Sequence, residues 1–276
     1  SGDAGDDTYL FSAGDGNTTI YNRDTEAGRN DVLRLLEGID PDDVRATRSG
    51  TNLLLTVAGT DEVITVQNYF NGDAAGGYAL DAIEFVDGTV WGIDTIKDLV
   101  QQNTEGADSL YGYADADTLN GAGGNDSLYG AAGDDVLAGG EGNDRLNGQD
   151  GNDTLTGDAG DDRLYGNAGD DSLNGGEGRD YLYGGEGNDT LRGGSGSDDY
   201  LSGDAGDDTY LFSAGDGNTT INNRDTGAGR NDVLRLLEGI DPADVRATRS
   251  GTNLLLTVAG TGEVITVQSY FNGDAA

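Results

Sequence analysis

Gly175-Gly176-Glu177-Gly178-Arg179-Asp180-Tyr181-Leu182-Tyr183 is followed at once by Gly184-Gly185-Glu186-Gly187-Asn188-Asp189-Thr190-Leu191-Arg192. Read outward, the same nine-residue spacing fills residues 105–204. Steps of nine from Asp108 to Asp198 meet Asp at all 11 positions, and steps of nine from Leu110 to Leu191 meet Leu at all ten. Gly holds all ten positions from Gly112 to Gly193 and ten of the 11 that start at Gly106, Asp115 being the exception. The rule slips once, at Ser195-Gly196-Ser197-Asp198-Asp199-Tyr200-Leu201, where one residue is added. A fixed short period is the mark of a solenoid. The Gly- and Asp-rich part makes a turn, because Gly reaches backbone conformations with positive φ and Asp and Asn bond their own backbone. The x-Leu-x triplet makes a minimal strand with one inward apolar residue. Two turns and two strands close a coil of 18 residues. Leu110, Leu128, Leu146, Leu164 and Leu182 then stack on one side, and Leu119, Leu137, Leu155, Leu173 and Leu191 on the other. The fold class that follows is all-β, a parallel β-roll (β-solenoid) of nonapeptide repeats flanked by small β-rich modules.

The composition fits such a roll only if something cationic joins it. The 276 residues carry 52 Asp and Glu against 15 Lys and Arg, a formal charge of -37. Low hydrophobicity with so high a charge otherwise marks a disordered chain. There is no Cys, His or Met. This removes disulfides, thiol nucleophiles, His-dependent triads and His- or Cys-ligated metals. The negative charge argues against nucleic acid and against anionic membrane as partners, and no apolar run is long enough to span a bilayer. The opening Ser1-Gly2-Asp3 does not read as a signal peptide. Carboxylate and carbonyl oxygens without nitrogen or sulfur favour a hard cation, Ca²⁺ before Mg²⁺.

The unit G-x-x-G-x-D-x-L-x, with a second Gly at Gly140, Gly176, Gly185 and Gly194, resembles the G-G-x-G-x-D-x-U-x nonapeptide of RTX (repeats-in-toxin) proteins. The resemblance implies Ca²⁺ between successive turns on one edge, held by Asp carboxylates and turn carbonyls. Carried over, the metal ligands are Asp108, Asp126, Asp144, Asp162, Asp180 and Asp198 on one edge, and Asp117, Asp135, Asp153, Asp171 and Asp189 on the other. Roughly nine ions fit such a stack. The segment 105–204 holds 23 acids and four Arg, a net of -19; about nine Ca²⁺ nearly cancel it. Asp115 replaces a turn Gly and is expected to weaken the second turn. Flanking Asp134, Asp161 and Asp170 read as turn residues that need not touch metal.

A longer repeat frames the roll. Residues 1–75 realign with 202–276 at 70 of 75 positions; the differences are Tyr21/Asn222, Glu26/Gly227, Asp42/Ala243, Asp61/Gly262 and Asn68/Ser269. This reads as a window on an array with a 201-residue unit. Asp6-Asp7-Thr8-Tyr9-Leu10-Phe11 and its copy Asp207-Asp208-Thr209-Tyr210-Leu211-Phe212 read as a modified last turn whose rings close a thin core. Strand-like runs follow at 31–36, 44–48, 53–57, 63–70 and 82–91. Asp94 is placed to cap a short helix with Ile96, Leu99 and Val100 on one face. Asn30–Leu35, Gly50–Leu53 and Ile83–Trp91 resemble the haemolysin-type calcium-binding-related domain. The expected division is 1–28 roll-end cap, 29–103 β-rich module, 104–204 roll, 205–229 second cap and 230–276 truncated second module. That last module is expected to be more mobile or completed by a neighbouring chain.

Tyr111, Tyr129, Tyr165 and Tyr183, with Asn147 between them, form an outer ladder near Arg145 and Arg163. Cross-strand stacking explains it better than a glycan or protein contact. Catalytic sites are singular and these turns are nearly identical, so no enzyme is read here. The resemblance implies a secreted, extracellular bacterial protein exported by type I secretion machinery. Its Ca²⁺-binding module would fold outside the cell, within an adhesin-like array whose partner is a cell-surface glycan or protein. The alternative is the C-terminal secretion module of an enzyme such as a lipase, protease or epimerase.

Overall fold

The computed structural model describes all residues except 3, 25–27, 75–76, 197, 224–230, 238 and 272–276. The chain divides into two compact units, Ser1–Gln102 and Asn103–Ala276.

The first unit contains β1 (Thr8–Phe11), β2 (Thr18–Ile20), β3 (Val32–Leu35), β4 (Val44–Ser49), β5 (Asn52–Val57), β6 (Val63–Val66), β7 (Ala82–Glu84), β8 (Val90–Gly92) and α1 (Ile93–Val100). Two four-stranded sheets run in the orders β1-β3-β7-β8 and β2-β6-β5-β4. The β1–β3, β3–β7 and β2–β6 pairs are parallel, as in a short roll, whereas the β4–β5, β5–β6 and β7–β8 pairs are antiparallel. Alternation of apolar residues buries Leu53, Leu55 and Val57 along β5, as a half-buried strand requires. Helix α1 starts two residues earlier than Asp94 suggests. Gly92 occupies its N-cap without a side-chain bond, and Asp94 lies in the first turn, where its charge still favours the helix dipole. Ile96 and Val100 are buried as expected, while Leu99 is only half-buried.

The second unit contains β9 (Ser109–Tyr111), β10 (Thr118–Asn120), β11 (Ser127–Ala132), β12 (Val136–Glu141), β13 (Arg145–Asp150), β14 (Thr154–Ala159), β15 (Arg163–Ala168), β16 (Ser172–Gly178), β17 (Tyr181–Glu186), β18 (Thr190–Gly196), β19 (Asp199–Ala205), β20 (Thr209–Phe212), β21 (Thr219–Asn222), β22 (Val233–Leu236), β23 (Val245–Ser250), β24 (Asn253–Val258) and β25 (Val264–Gln268). Odd strands β9 to β21 form one sheet and even strands β10 to β22 the other, all parallel, so this is a β-roll. The 18-residue offset is explicit in the pairing, with Leu128 opposite Leu146 and Leu137 opposite Leu155. Every Leu from Leu110 to Leu191 in the two stacks is at most 2% exposed. The core is thus two side chains thick.

The roll does not stop at 204. Leu191 pairs with Tyr210 and Tyr210 with Leu234, while Leu201 pairs with Ile221 and Ile221 with Val267. The Leu ladder, the aromatic turn and the second module therefore share one core. At the other end, β9 and β10 are only three residues long. The left-handed glycines begin at Gly124, and Asp115, at the same register, is not left-handed. Gly106, in the same register, is not left-handed either.

On the outer face, Tyr111 stacks on Tyr129 with centroids 4.9 Å apart, and Tyr165 on Tyr183 at 5.2 Å. Asn147 interrupts the column, and the Arg145 guanidinium lies 4.6 Å over the Tyr165 ring. The tyrosines are engaged with one another along the sheet, the stabilising arrangement of cross-strand neighbours. Among the described residues, no helix is long and apolar enough to cross a membrane.

Candidate metal centre

Each coil delivers its Asp at the point where the turn enters the strand, two residues before the inward Leu. There the backbone turns the carboxylate inward. Asp126, Asp135, Asp144, Asp153, Asp162, Asp171, Asp180 and Asp189 are all at most 2% exposed. In each, Oδ1 accepts the backbone N–H of the Asp one coil earlier. Examples are Asp126 N–H to Asp144 Oδ1 at 2.8 Å and Asp153 N–H to Asp171 Oδ1 at 2.7 Å. This bond explains why Asp serves here: the carboxylate satisfies an amide that the strand ladder leaves open.

The second oxygen has no such partner. Oδ2 of Asp126, Asp135, Asp144, Asp153, Asp162, Asp171, Asp180, Asp189 and Asp199 is buried without a hydrogen bond. Burying an ionised carboxylate with one oxygen unsatisfied costs several kcal/mol. A methyl group added at Gly175 would collide both with Asp180 Oδ2 and with the carbonyl oxygen of Gly193. Gly121, Gly130, Gly157 and Gly166 stand in the same relation to their own Asp and to the carbonyl one coil on. The glycine thus clears a cradle in which a carboxylate oxygen and a carbonyl oxygen converge. Among the described residues, no three Asp, Glu, His or Cys side chains cluster as a metal site. A carboxylate oxygen beside a main-chain carbonyl oxygen offers hard oxygens, a donor type that suits Ca²⁺.

Electrostatics point the same way. Burial is the main cause that pushes the carboxyls of Asp162, Asp171, Asp180 and Asp189 up to about 7, and those of Asp135 and Asp199 up to about 6; the backbone hydrogen bond pulls in the opposite direction. Asp126, Asp144 and Asp153 are raised for the same reason. Neighbouring carboxylates add to the shift, as with Asp144 and Asp180 around Asp162. Like charges stacked in one column repel, and a divalent cation relieves both burial and repulsion.

Three of the expected ligands are placed differently. Asp108 Oδ2 accepts from the Thr104 N–H at 2.6 Å and from the Thr104 hydroxyl at 2.9 Å, and Asp117 Oδ2 accepts from the Tyr113 N–H at 2.6 Å. Both lie on the first coil and are only half-buried. Asp198 is exposed and left-handed, with φ 66°, and sits 3.6 Å from Arg179. The residue inserted in this turn moves the inward position to Asp199, which is fully buried and accepts the Asp180 N–H at 3.0 Å. Asp208 follows, accepting from Asp189 at 3.0 Å. Strict steps of nine miss both; the inward position could be found by counting back two residues from Leu201 and Tyr210. The flanking Asp134 and Asp170 on one edge and Asp161 on the other lie in two exposed ladders in which Oδ1 accepts the N–H one coil later, as in Asp161 to the Arg179 N–H at 2.9 Å.

The first unit repeats the motif in miniature. Asp31 Oδ1 accepts the Asp7 N–H at 2.9 Å, and Asp232 Oδ1 accepts the Asp208 N–H at 3.1 Å in the second copy.

Comparison with known proteins finds two family models that match parts of the chain. Residues 52–95 match the haemolysin-type calcium binding protein related domain. Residues 103–137, 129–164, 138–173, 165–200 and 194–221 match the RTX calcium-binding nonapeptide repeat. The chain is 45% identical over 106 residues to the iron-regulated protein FrpA of Neisseria meningitidis serogroup C, a match that takes in 38% of this chain and 10% of that protein. The chain therefore spans about a tenth of that relative's length. Among solved structures, it aligns with the extracellular lipase LipA from Serratia marcescens over 95% of this chain and 36% of that one, at 17% identity and a TM-score of 0.26.

Proposed function

Because this chain carries RTX calcium-binding nonapeptide repeats preceded by a haemolysin-type calcium-binding-related domain, we propose that it is a structural module which folds when calcium enters the roll. The RTX β-roll is a calcium-binding fold of secreted bacterial proteins. The observation that carries the finer reading is the two columns of buried Asp whose nine Oδ2 atoms have no hydrogen-bond partner. Without a cation these charges oppose closure of the coils; with one, each becomes a ligand.

The proposed ligands are Asp126, Asp135, Asp144, Asp153, Asp162, Asp171, Asp180, Asp189 and Asp199, with turn carbonyls completing each sphere. Asp108 and Asp117 mark the frayed first coil. Sites of this kind in extracellular modules have affinities on the order of 10⁻⁴–10⁻³ M. The chain would thus stay open in a low-calcium cytoplasm, pass a type I secretion machinery unfolded, and close outside. Ion binding to the folded state alone stabilises it by mass action. The near-identity of 1–75 and 202–276 supports a repeating array, adhesin-like or scaffolding, as the setting.

Small-angle scattering of the chelated chain during calcium titration tests this reading. A large fall in radius of gyration with added calcium, and not with equal magnesium, is expected. A chelated chain already as compact as the calcium-loaded one would exclude calcium-driven folding.

A further inference from the structure

The first unit builds the Asp column of the roll and fills it differently. Asp31 stands two residues before the buried Leu33, and Asp81 two residues before the buried Ile83, as Asp180 stands before Leu182. The carboxylates link successive strands as in the roll. Asp31 Oδ1 accepts the Asp7 N–H at 2.9 Å, and Asp81 Oδ2 accepts the Asp31 N–H at 2.7 Å. Asp7, at the start of the column, is only half-buried, whereas Asp31 is fully buried. In the roll a buried Asp keeps Oδ2 without a hydrogen bond. Asp31 Oδ2 is engaged: it accepts from the Asn22 amide at 2.9 Å and lies 3.6 Å from Arg29 Nη1.

Arg29 joins the column to the surrounding main chain. Its side chain is only 11% exposed. Nη1 donates to the Asp24 carbonyl at 2.7 Å, Nη2 donates to the Ala79 carbonyl at 3.2 Å, and Nε lies 3.9 Å from Asp81 Oδ2. One guanidinium thus meets two carboxylates and two main-chain carbonyls, the hard-oxygen donor types that a calcium ion takes. Its planar fork and weak hydration suit a buried ion pair. The Asn22 amide holds the same region in place, donating to the Ala79 carbonyl at 2.9 Å and accepting from the Tyr9 hydroxyl at 3.0 Å. In the sequence, Arg29 stands two residues before Asp31, where the roll has Gly142 before Asp144 and Gly178 before Asp180.

We propose that Arg29 is the built-in cation of the first unit, serving there the part assigned to calcium in the roll, so that Ser1–Gln102 folds without calcium. A buried carboxylate is tolerated when a fixed cation and hydrogen bonds compensate it, and removing the cation alone leaves an uncompensated buried charge. Asp31 has both kinds of partner within its own unit. Calcium-gated closure is then confined to the second unit. The claim of calcium-independent folding stands on the first unit's own contacts and not on the assignment of ligands in the roll.

The chain's single Trp makes the test specific to this unit. Trp91 is 7% exposed and packs edge to face on Phe85, with centroids 4.7 Å apart. The full chain is unfolded with urea in chelator and again in millimolar calcium, and Trp91 emission is followed beside far-ultraviolet circular dichroism. Wild-type Trp91 should stay blue-shifted in chelator and give the same urea midpoint in both solutions, while chelator removes the β signal of the roll. Arg29→Gln, which keeps a donor and loses the charge, should lower the Trp91 midpoint in chelator, and Arg29→Lys, which keeps the charge, should lower it less. Wild-type emission that is red-shifted in chelator and turns blue only with calcium would overturn the proposal. So would an Arg29→Gln midpoint equal to that of wild type or of Arg29→Lys. A chelated chain that keeps both the roll signal and the Trp91 signal would instead count against calcium-driven closure of the roll while agreeing with the part given to Arg29.

Discussion

Oδ1 of Asp180 accepts the backbone N–H of Asp162 at 2.9 Å, while Oδ2 of the same carboxylate is buried with no hydrogen-bond partner. One oxygen ties coil to coil, and the other is left for a cation. Asp180→Asn keeps an acceptor for the Asp162 amide and replaces the charged ligand oxygen. It should weaken calcium binding about tenfold or more while leaving the calcium-loaded roll folded. Asp180→Ala loses the hydrogen bond as well and should cost about 1–3 kcal/mol further. Calorimetric calcium titration and melts in saturating calcium read the two effects. Wild-type affinity in Asp180→Asn would remove Oδ2 from the ligand set.

The buried Asp column gives the chelated and calcium-loaded chains opposite responses to pH. Burial raises Asp162, Asp171, Asp180 and Asp189 to about 7 in the roll, against about 3.9 in an unfolded chain. Between those values the metal-free roll binds more protons than the unfolded chain. Its stability is therefore present below about pH 4 and lost as pH rises through about 7. Chelated protein should gain β circular dichroism on acidification from pH 8 to 5. In limiting calcium the sign reverses, because protons compete with the ion for the same oxygens. A chelated chain whose spectrum ignores pH across this window would show that these carboxyls are not buried as described.

Gly175→Ala tests the cradle. The added methyl meets Asp180 Oδ2 and the Gly193 carbonyl oxygen, main-chain and ligand atoms that cannot move away cheaply. Overpacking of this kind costs about 1–3 kcal/mol, and here it also occupies ligand space. A lowered calcium-loaded melting temperature together with reduced affinity is expected, whereas a change at exposed Gly14, where an added Cβ meets nothing, should leave affinity untouched.

The irregular turn offers a paired comparison. Asp198 is exposed and Asp199 fully buried. Asp199→Ala should lower both calcium uptake and stability, while Asp198→Ala should cost less than about 0.5 kcal/mol. Equal effects in calcium titrations of the two variants would contradict the shifted assignment.

Much of this was legible in the sequence, because the repeat imposes the same solution on every coil. A Leu at every ninth position can only face inward if it alternates between two sheets, so the stacks and their 18-residue pairing follow. The Asp register was legible for the same reason from Asp126 to Asp189. What escaped is where periodicity breaks. Counting alone assigns Asp198, yet the inserted residue is absorbed in the turn because Tyr200 and Leu201 must keep register with Tyr181 and Leu182. Asp108 and Asp117 fit the count but lie on the end coil, where Thr104 and the Tyr113 amide take their second oxygens. The merging of roll, aromatic turn and second module into one core was also hidden, since Tyr210 and Ile221 replace Leu at irregular spacing.

The most direct measurement is a metal count by native mass spectrometry made in parallel with circular dichroism as chelated chain is titrated with calcium. Several calcium ions should bind per chain in the same concentration range in which the β signal appears, and Asp180→Asn should shift that range upward. A full β signal before any calcium is taken up, or its appearance without bound calcium, would contradict a roll held together by its buried aspartates and their ions.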